Sequence, residues 1–554
     1  MMKIKDILSI QLDNDIKNVI DLNSQSEDEI KEELDGFILT ESLAGHLSDF
    51  LDKFCSDMKE SGVWLSGFYG SGKSYFAKML GFLIENPVIQ GTPFRERFLH
   101  KLVGLNNEAF IKNQISSLDK SKYQVVLFDS AKVDNKHGIA YMAMSQFLLS
   151  LGLMNNWIGL MEYHLLLNDQ YEEFLQKVEE QNGGKKWTDL RRNMMNTMSV
   201  FRKAMIAIMG EEDFKDTEKI AQERIDTYDS CKLKEDLSLY LEQHPQDKVI
   251  FFIDEVSEAI TQKKIDILEL EGLSESLSGL GNRVWTIGIA QQAFNDVLNA
   301  SGLNKSKLEK VEARFKTRIP IAAEEIDKII RKRLLDKTDA GKQELKAYYV
   351  KNSGMIQAVT NISGLALSAT KDGEVYSDYY PFFVHQFKML QYFLFGSRDT
   401  VTTQIGTRGM LMSVFDVLKK EAMTEEEVHT HVSSVELCNQ AMENIPESLR
   451  MRYQQAEEHL AADGSFKLIS GKKLLQVIYF LAKSDARTTV DNIASSYARH
   501  PEQYYDILEE VKRAVALLVE NNVLLQTADQ YRITSQIEQQ IIDDMVKYEI
   551  PLFR

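Results

Sequence analysis

Apolar positions in this chain follow two rhythms. Across Glu41–Phe54 they recur as Leu43, Leu47, Phe50, Leu51 and Phe54, the spacing of a helix with one buried side. Just upstream, Ser26 precedes Glu27, Asp28 and Glu29, a capping residue followed by acids that suit the positive end of a helix dipole. Ile30 and Leu34 supply that helix's apolar face, and Phe37-Ile38-Leu39-Thr40 is a short apolar run. The second rhythm is unbroken. Gly62–Gly67, Tyr123–Asp129, Val249–Asp254 and Arg283–Ala290 are continuous apolar runs between helical stretches, which predicts a parallel sheet covered on both faces.

The rest of the chain reads as helix until near its end. Residues 137–247 form a helical insert that carries Met194, Met198, Met205 and Met209 at helical spacing, read as ordinary helix core before an adaptable partner groove. Residues 324–337, 381–395 and 408–422 are candidate helices, and Thr424 with Glu427 is a capping box for the next. Helices over 471–484, 489–497 and 504–521 precede two short strands, 523–527 and 530–534, around Ala528-Asp529; this is the winged-helix plan. The expected fold class is α/β plus all-α. Its expected parts are an N-terminal helical segment (1–60), a nucleotide-binding core (61–320) with the insert, a helical lid (321–465) and a winged helix (466–554).

Length, composition and charge narrow the classes. At 554 residues the chain exceeds one core. With 44% hydrophobic and 27% charged residues it is a globular chain and not a wholly disordered one. No run of 18 apolar residues predicts a membrane helix, and Asp6, Asp13 and Asp15 interrupt the N-terminus too early for a signal peptide. Cys55, Cys231 and Cys438 lie too far apart for a disulfide framework or a zinc site, so a reducing cytoplasm is expected. The net charge of −18 lowers the expectation of nonspecific DNA binding, which rests on neutralising phosphates.

The candidate chemistry begins at Gly67-Phe68-Tyr69-Gly70-Ser71-Gly72-Lys73-Ser74, a complete G-x-x-x-x-G-K-[ST] phosphate-binding loop between an apolar strand and an amphipathic helix. Its glycines allow the tight turn and let backbone N–H groups approach ATP phosphates. Lys73 reaches the β/γ-phosphates and the Ser74 hydroxyl ligates Mg²⁺. Val249-Ile250-Phe251-Phe252-Ile253-Asp254-Glu255 is the matching Walker B strand, with Asp254 for the Mg²⁺ shell and Glu255 to orient the attacking water. Glu258 is read as a surface residue. Gln291, with Gln292 second to it, ends a strand as either a γ-phosphate sensor or a surface amide. Arg314 follows a helix and is read as a finger acting across a subunit boundary, against the alternative of a solvated basic face; Arg318 is undecided. Arg408 starts a lid helix and either folds onto the phosphates or pairs with nearby acids. His429 and His431 have no cysteine at metal-ligand spacing and are read as surface residues. The third winged-helix helix carries Asp506, Glu509, Glu510 and Glu520 against Lys512 and Arg513, so this module is expected to contact protein mainly.

Taken in order, these motifs resemble those of AAA+ ATPases of the initiator type. Met2-Lys3-Ile4-Lys5-Asp6-Ile7, Asn18-Val19-Ile20, Phe37-Ile38-Leu39-Thr40 and Trp64–Ser74 more closely resemble the BrxC (PglY-like) P-loop ATPases of bacterial BREX phage-defence systems. Members of that family are usually longer, so this chain is expected to match their N-terminal portion or to be a short relative. Ala290-Gln291-Gln292 departs from the expected Ser-Gln-Glu or similar, while Gln291 keeps the amide. The resemblance implies work alongside a DNA methyltransferase and other defence proteins. The expected function is an ATP-hydrolysing switch that forms homo-oligomers; a DNA translocase and a scaffold with a structural nucleotide are the alternatives.

Overall fold

The computed structural model describes residues 2–9, 26–56, 62–67, 72–191, 194–291, 294, 296–297, 305–321, 326–364, 370–396, 407–442 and 445–547. Asn18-Val19-Ile20, Phe68–Ser71 and Gln292 lie outside them. The chain divides into two compact units, one within residues 19–322 and one formed by residues 1–18 with 323–554. In place of one helical segment over 1–60, the first residues therefore belong with the second unit, and 26–56 with the first.

In the first unit, β1 (Gly62–Gly67), β2 (Lys122–Asp129), β3 (Asp247–Asp254), β4 (Val284–Ala290) and β5 (Thr317–Ile321) form one sheet in the order β2-β3-β4-β1-β5. Every neighbouring pair is parallel, so all five strands end on the same side. This is the parallel sheet that the continuous apolar runs predict. The strand absent from the sequence reading is β5. Its burial alternates, with Thr317, Ile319 and Ile321 inward and Arg318 and Pro320 outward, so it never forms a continuous apolar run. Proline fits there because an edge strand leaves one row of N–H groups unpaired.

Side chains of β3 alternate between two cores. Ile250 and Phe252 lie in the core shared with α1 (Glu27–Gly36), α2 (Glu41–Cys55) and α3 (Lys73–Glu85), and Val249, Phe251 and Ile253 in the core shared with the insert. Phe50 and Phe54 of α2 set their rings 5.9 and 5.2 Å from the Trp285 ring of β4. Burying each such side chain stabilises the unit by about 1.5–3 kcal/mol relative to exposure. The insert runs as helices from Gly138–Ser150 to Ser230–Gln243. Met205 is fully buried, and Met198 and Met209 pack against the same core.

In the second unit, residues 2–9 are anchored by backbone hydrogen bonds from Ile4 N to Glu426 O (3.0 Å) and from Thr338 N to Ile7 O (3.0 Å). Ile4 and Ile7 are buried in the unit's core. This docking explains why Thr424 and Glu427 form no capping box. Glu427 bridges Lys3, Thr424 donates to Leu418 O, and Ser433 with Glu436 caps helix Ser434–Ala441. His431 also departs from expectation. It is fully buried, with Nε2 2.8 Å from the Tyr376 hydroxyl and its ring stacked on Phe383. Burial pushes its pKa down to about 3, so it is a neutral core residue. His429 is half-buried, stacked on Tyr348.

Helices Gly471–Lys483, Val490–Tyr497 and Tyr504–Glu520, with the hairpin β6 (Leu524–Thr527) and β7 (Gln530–Ile533), complete the winged-helix plan. They share one core with residues 330–460; the rings of Phe393 and Phe480 stack at 4.9 Å. Glu510 turns inward to accept from Lys467 N and Leu468 N, while Asp506, Glu509 and Glu520 stay exposed. Among the described residues no helix is long and apolar enough to cross a membrane.

Candidate active site

The parallel sheet gathers chemistry at the C-terminal ends of its strands. After β1 the chain reaches Gly72, whose φ of +87° is a left-handed conformation that glycine adopts without a Cβ penalty. Gly72 caps α3, and Lys73 and Ser74 occupy the first turn of that helix, where free N–H groups and the dipole favour an anion. Phe68, Tyr69, Gly70 and Ser71, the middle of the loop, lie outside the described residues.

Lys73 is buried, which lowers its pKa against the opposing attraction of Glu255 and then Asp254. Asp254 ends β3 and is 3% exposed. Burial raises its pKa; hydrogen bonds from the Ser74 hydroxyl and the Glu255 N–H (2.8 Å), and then Lys73, act the other way. The two Mg²⁺ candidates are thus hydrogen-bonded to each other. Hydroxyl and carboxylate oxygens are hard donors, and Mg²⁺ commonly takes its other ligands from water and phosphate. The residues present fit that ion. Among the described residues no cluster of three or more His, Cys, Asp or Glu forms a metal cage.

Glu255 follows in a left-handed conformation, φ +54°, at the start of α4 (Val256–Thr261). Such backbone is unfavourable for a side chain with a Cβ, and it persists only where its surroundings hold it. Here Ala259 N donates to Glu255 O (2.9 Å), and Gln291 Nε2 donates to Glu255 Oε2 (3.0 Å). Burial first, then Asp254, raises the Glu255 pKa, and the Gln291 bond and Lys73 offset part of this. Gln291 stands immediately after β4, and its own N–H donates to Ser257 Oγ (3.0 Å). The structure therefore brings Lys73, Ser74, Asp254, Glu255 and Gln291 together. Glu258 is exposed.

Asp129 was not singled out from the sequence. It ends β2 as the register partner of Asp254, and its charge raises the pKa of both Asp254 and Glu255. Lys132 partners it at 2.8 Å. The signal was available, because Val125–Asp129 is an apolar run ending in an acid just as Val249–Asp254 is. Next to Asp129, Ser130 fastens the two strand ends by donating Oγ to Asp254 O (2.7 Å).

Arg314 is not part of this constellation. It ends α6 (Lys305–Arg314), ahead of β5, at the opposite end of the sheet from the phosphate loop. Gly62, which starts β1, permits this approach: a Cβ there would lie 2.0 Å from Arg314 O. The Arg314 side chain pairs with Glu275 and, at 3.7 Å, with Glu271, both on α5 (Ile267–Ser278). Arg318 lies over the Phe294 ring at 4.8 Å. Arg408 is in helix Thr407–Lys419 of the second unit, and its side chain lies outside the described residues.

No family model matches the chain. Solved structures similar to it include Cdc6p from Pyrobaculum aerophilum, with 10% identity over 91% of this chain and 92% of that one and a TM-score of 0.34. The Orc2 protein of Aeropyrum pernix, in ADPNP–ADP complexes, gives 11%, 91%, 93% and 0.31 on the same measures. A Walker-type ATPase of Pyrococcus abyssi gives 10%, 90%, 94% and 0.26. Likenesses this distant carry no inference about what this chain binds, so its function is argued from its own residues.

Proposed function

We propose that this chain binds ATP with Mg²⁺ and hydrolyses it as an AAA+ switch. The observation that carries the reading is the Gln291–Glu255 hydrogen bond beside Lys73, Ser74 and Asp254. A site that only held nucleotide would have no use for a second carboxylate, fixed in a strained turn and aimed by an amide. Lys73 and the first N–H groups of α3 hold the phosphates. Ser74 and Asp254 hold Mg²⁺, which supplies charge neutralisation when bound. Glu255 orients and polarises a water for attack on the γ-phosphorus, with the bond to the β–γ bridging oxygen breaking to give ADP and phosphate. Gln291 keeps Glu255 in position and can donate to the γ-phosphate or the water.

The location of Arg314 supports a homo-oligomer, because a side chain at the far end of the sheet is out of reach of its own chain's site and open to a neighbour's. The resemblance to BrxC-type ATPases supports a setting beside a DNA methyltransferase and other defence proteins. The acidic exposed face of Tyr504–Glu520 supports protein before DNA as the winged helix's partner. The test is turnover together with nucleotide binding. Lys73→Ala is expected to weaken ATP binding, and Glu255→Gln to keep binding and stop turnover. Wild-type turnover by Glu255→Gln would refute the assignment of the water-orienting residue.

A further inference from the structure

Gln291 is held at two points by one short stretch of chain. Its side-chain amide donates to Glu255 Oε2 at 3.0 Å, and its backbone N–H donates to Ser257 Oγ at 3.0 Å. Ser257 lies two residues beyond Glu255 and is 4% exposed. Its carbonyl accepts from Thr261 Oγ1 (2.8 Å), which ties it into α4. The result is a closed ring: Glu255 carboxylate, Gln291 side chain, Gln291 backbone, Ser257 hydroxyl, and back through Val256 to Glu255. Across that ring the strained turn after β3 is fastened to the end of β4.

We infer that Ser257 is a positioning residue for ATP hydrolysis, which holds Gln291, and through it the Glu255 carboxylate, in register with the attacking water. The inference rests on the hydrolytic reading given above. Without the Ser257 hydroxyl, the Gln291 N–H loses its acceptor in a half-buried site and the end of β4 is released from α4. Glu255, in a backbone conformation that its neighbours must maintain, then loses the fixed direction of its amide partner. Binding of nucleotide depends on Lys73, Ser74 and Asp254, none of which touches Ser257 in the ring. The loss should therefore fall on kcat and leave KM in place.

The experiment measures kcat and KM of full-length wild type, Ser257→Ala, Ser257→Thr, Gln291→Ala and the Ser257→Ala/Gln291→Ala double variant. Ser257→Ala is expected to lower kcat roughly tenfold, the order lost with one positioning hydrogen bond, with KM within about twofold. Ser257→Thr, which keeps the hydroxyl, should restore most of the rate. The double variant should be no slower than Gln291→Ala alone, since Ser257 acts through Gln291. Wild-type kcat in Ser257→Ala, or losses that multiply in the double variant, would overturn the inference while leaving the hydrolytic reading intact. Absence of turnover in the wild type would overturn both.

Discussion

The helix that carries Lys73 and Ser74 rests on a buried ion pair whose removal has a calculable cost. Lys78 lies one turn beyond Ser74 on α3 and is 1% exposed, and its Nζ sits 2.9 Å from Oε1 and 2.8 Å from Oε2 of Glu33 on α1. The Tyr75 hydroxyl donates to the Glu33 backbone oxygen, so α1 grips α3 at adjacent points on one face. Lys78→Met removes the cation and leaves a carboxylate that is 13% exposed. Breaking one partner of a buried pair costs about 3–5 kcal/mol; the remaining access of Glu33 to water places this one near 3 kcal/mol. Glu33→Leu takes the carboxylate away from the more deeply buried lysine and should cost more, about 4 kcal/mol. The double variant removes both charges with side chains of similar volume and should lose less than about 1.5 kcal/mol.

Denaturation midpoints test this cycle. On the proposed reading the transition of the first unit, which carries Lys73, Ser74 and Asp254, is the one that ATP shifts. Both single variants should lower that midpoint, and the double variant should recover most of the loss. ATP affinity should fall in the singles and return in the double, since both changes act on the seat of the helix that presents Lys73 and Ser74. A double variant as unstable as the sum of the singles would refute the reasoning.

Three further predictions concern other parts of the chain. In the insert, Glu162 is fully buried and accepts from Met154 N (2.7 Å), Tyr171 Oη (3.1 Å) and Trp187 Nε1 (2.6 Å); Glu162→Ala strands these donors and should cost about 3 kcal/mol or more, read as a fall in urea midpoint. Asp254 has a raised pKa because it is buried, so its contribution is lost as pH rises through that value; Asp254→Asn should raise the melting temperature of nucleotide-free protein at pH 7, by about 2–4 °C per kcal/mol recovered, with the gap from wild type closing as pH falls toward the ordinary carboxylate range. Arg314→Ala and Glu255→Gln should each be nearly inactive alone and regain turnover when mixed, because a mixed assembly unites an intact site with an intact arginine; no recovery on mixing would refute a trans role.

Much of the candidate site was legible because its signals are local. A phosphate loop needs its glycines, lysine and serine consecutively, and a buried strand ending in Asp254-Glu255 shows in seven residues of sequence. Gln291 was placed by the same logic, as the polar end of an apolar strand. What stayed hidden depends on register or distant partners. Asp129 gains meaning only because β2 pairs with β3 so that its carboxylate meets Asp254. Ser257 gains it only because β4 ends beside α4. His431 reads as surface from its polar neighbours, yet it is buried by Tyr376, Tyr380 and Phe383, residues about 50 positions away in sequence. The N-terminal residues likewise look like the start of the first helical segment until Ile4 and Ile7 find their core 300 and more residues further on.

The sheet's polarity links these features to assembly. In a parallel sheet every strand delivers its last residue to one side, so Asp129, Asp254, Glu255 and Gln291 converge without any long-range design beyond strand order. Arg314 enters β5 from the other side. Even the six residues of β1 span about 20 Å at 3.3 Å each, more than a guanidinium can reach across. On the proposed reading one chain therefore presents a site at one end of its sheet and a cation at the other, the arrangement of a head-to-tail contact, which builds rings or filaments before two-fold dimers. Glu271 and Glu275 hold that cation on α5 within a single chain, as a partly exposed pair. Such surface pairs are worth about 0–1 kcal/mol, so a neighbour's triphosphate, with more charge in a less hydrated site, can take the arginine from them. Assembly would then depend on whether the neighbouring site is loaded, and nucleotide turnover would change the contact that made it possible.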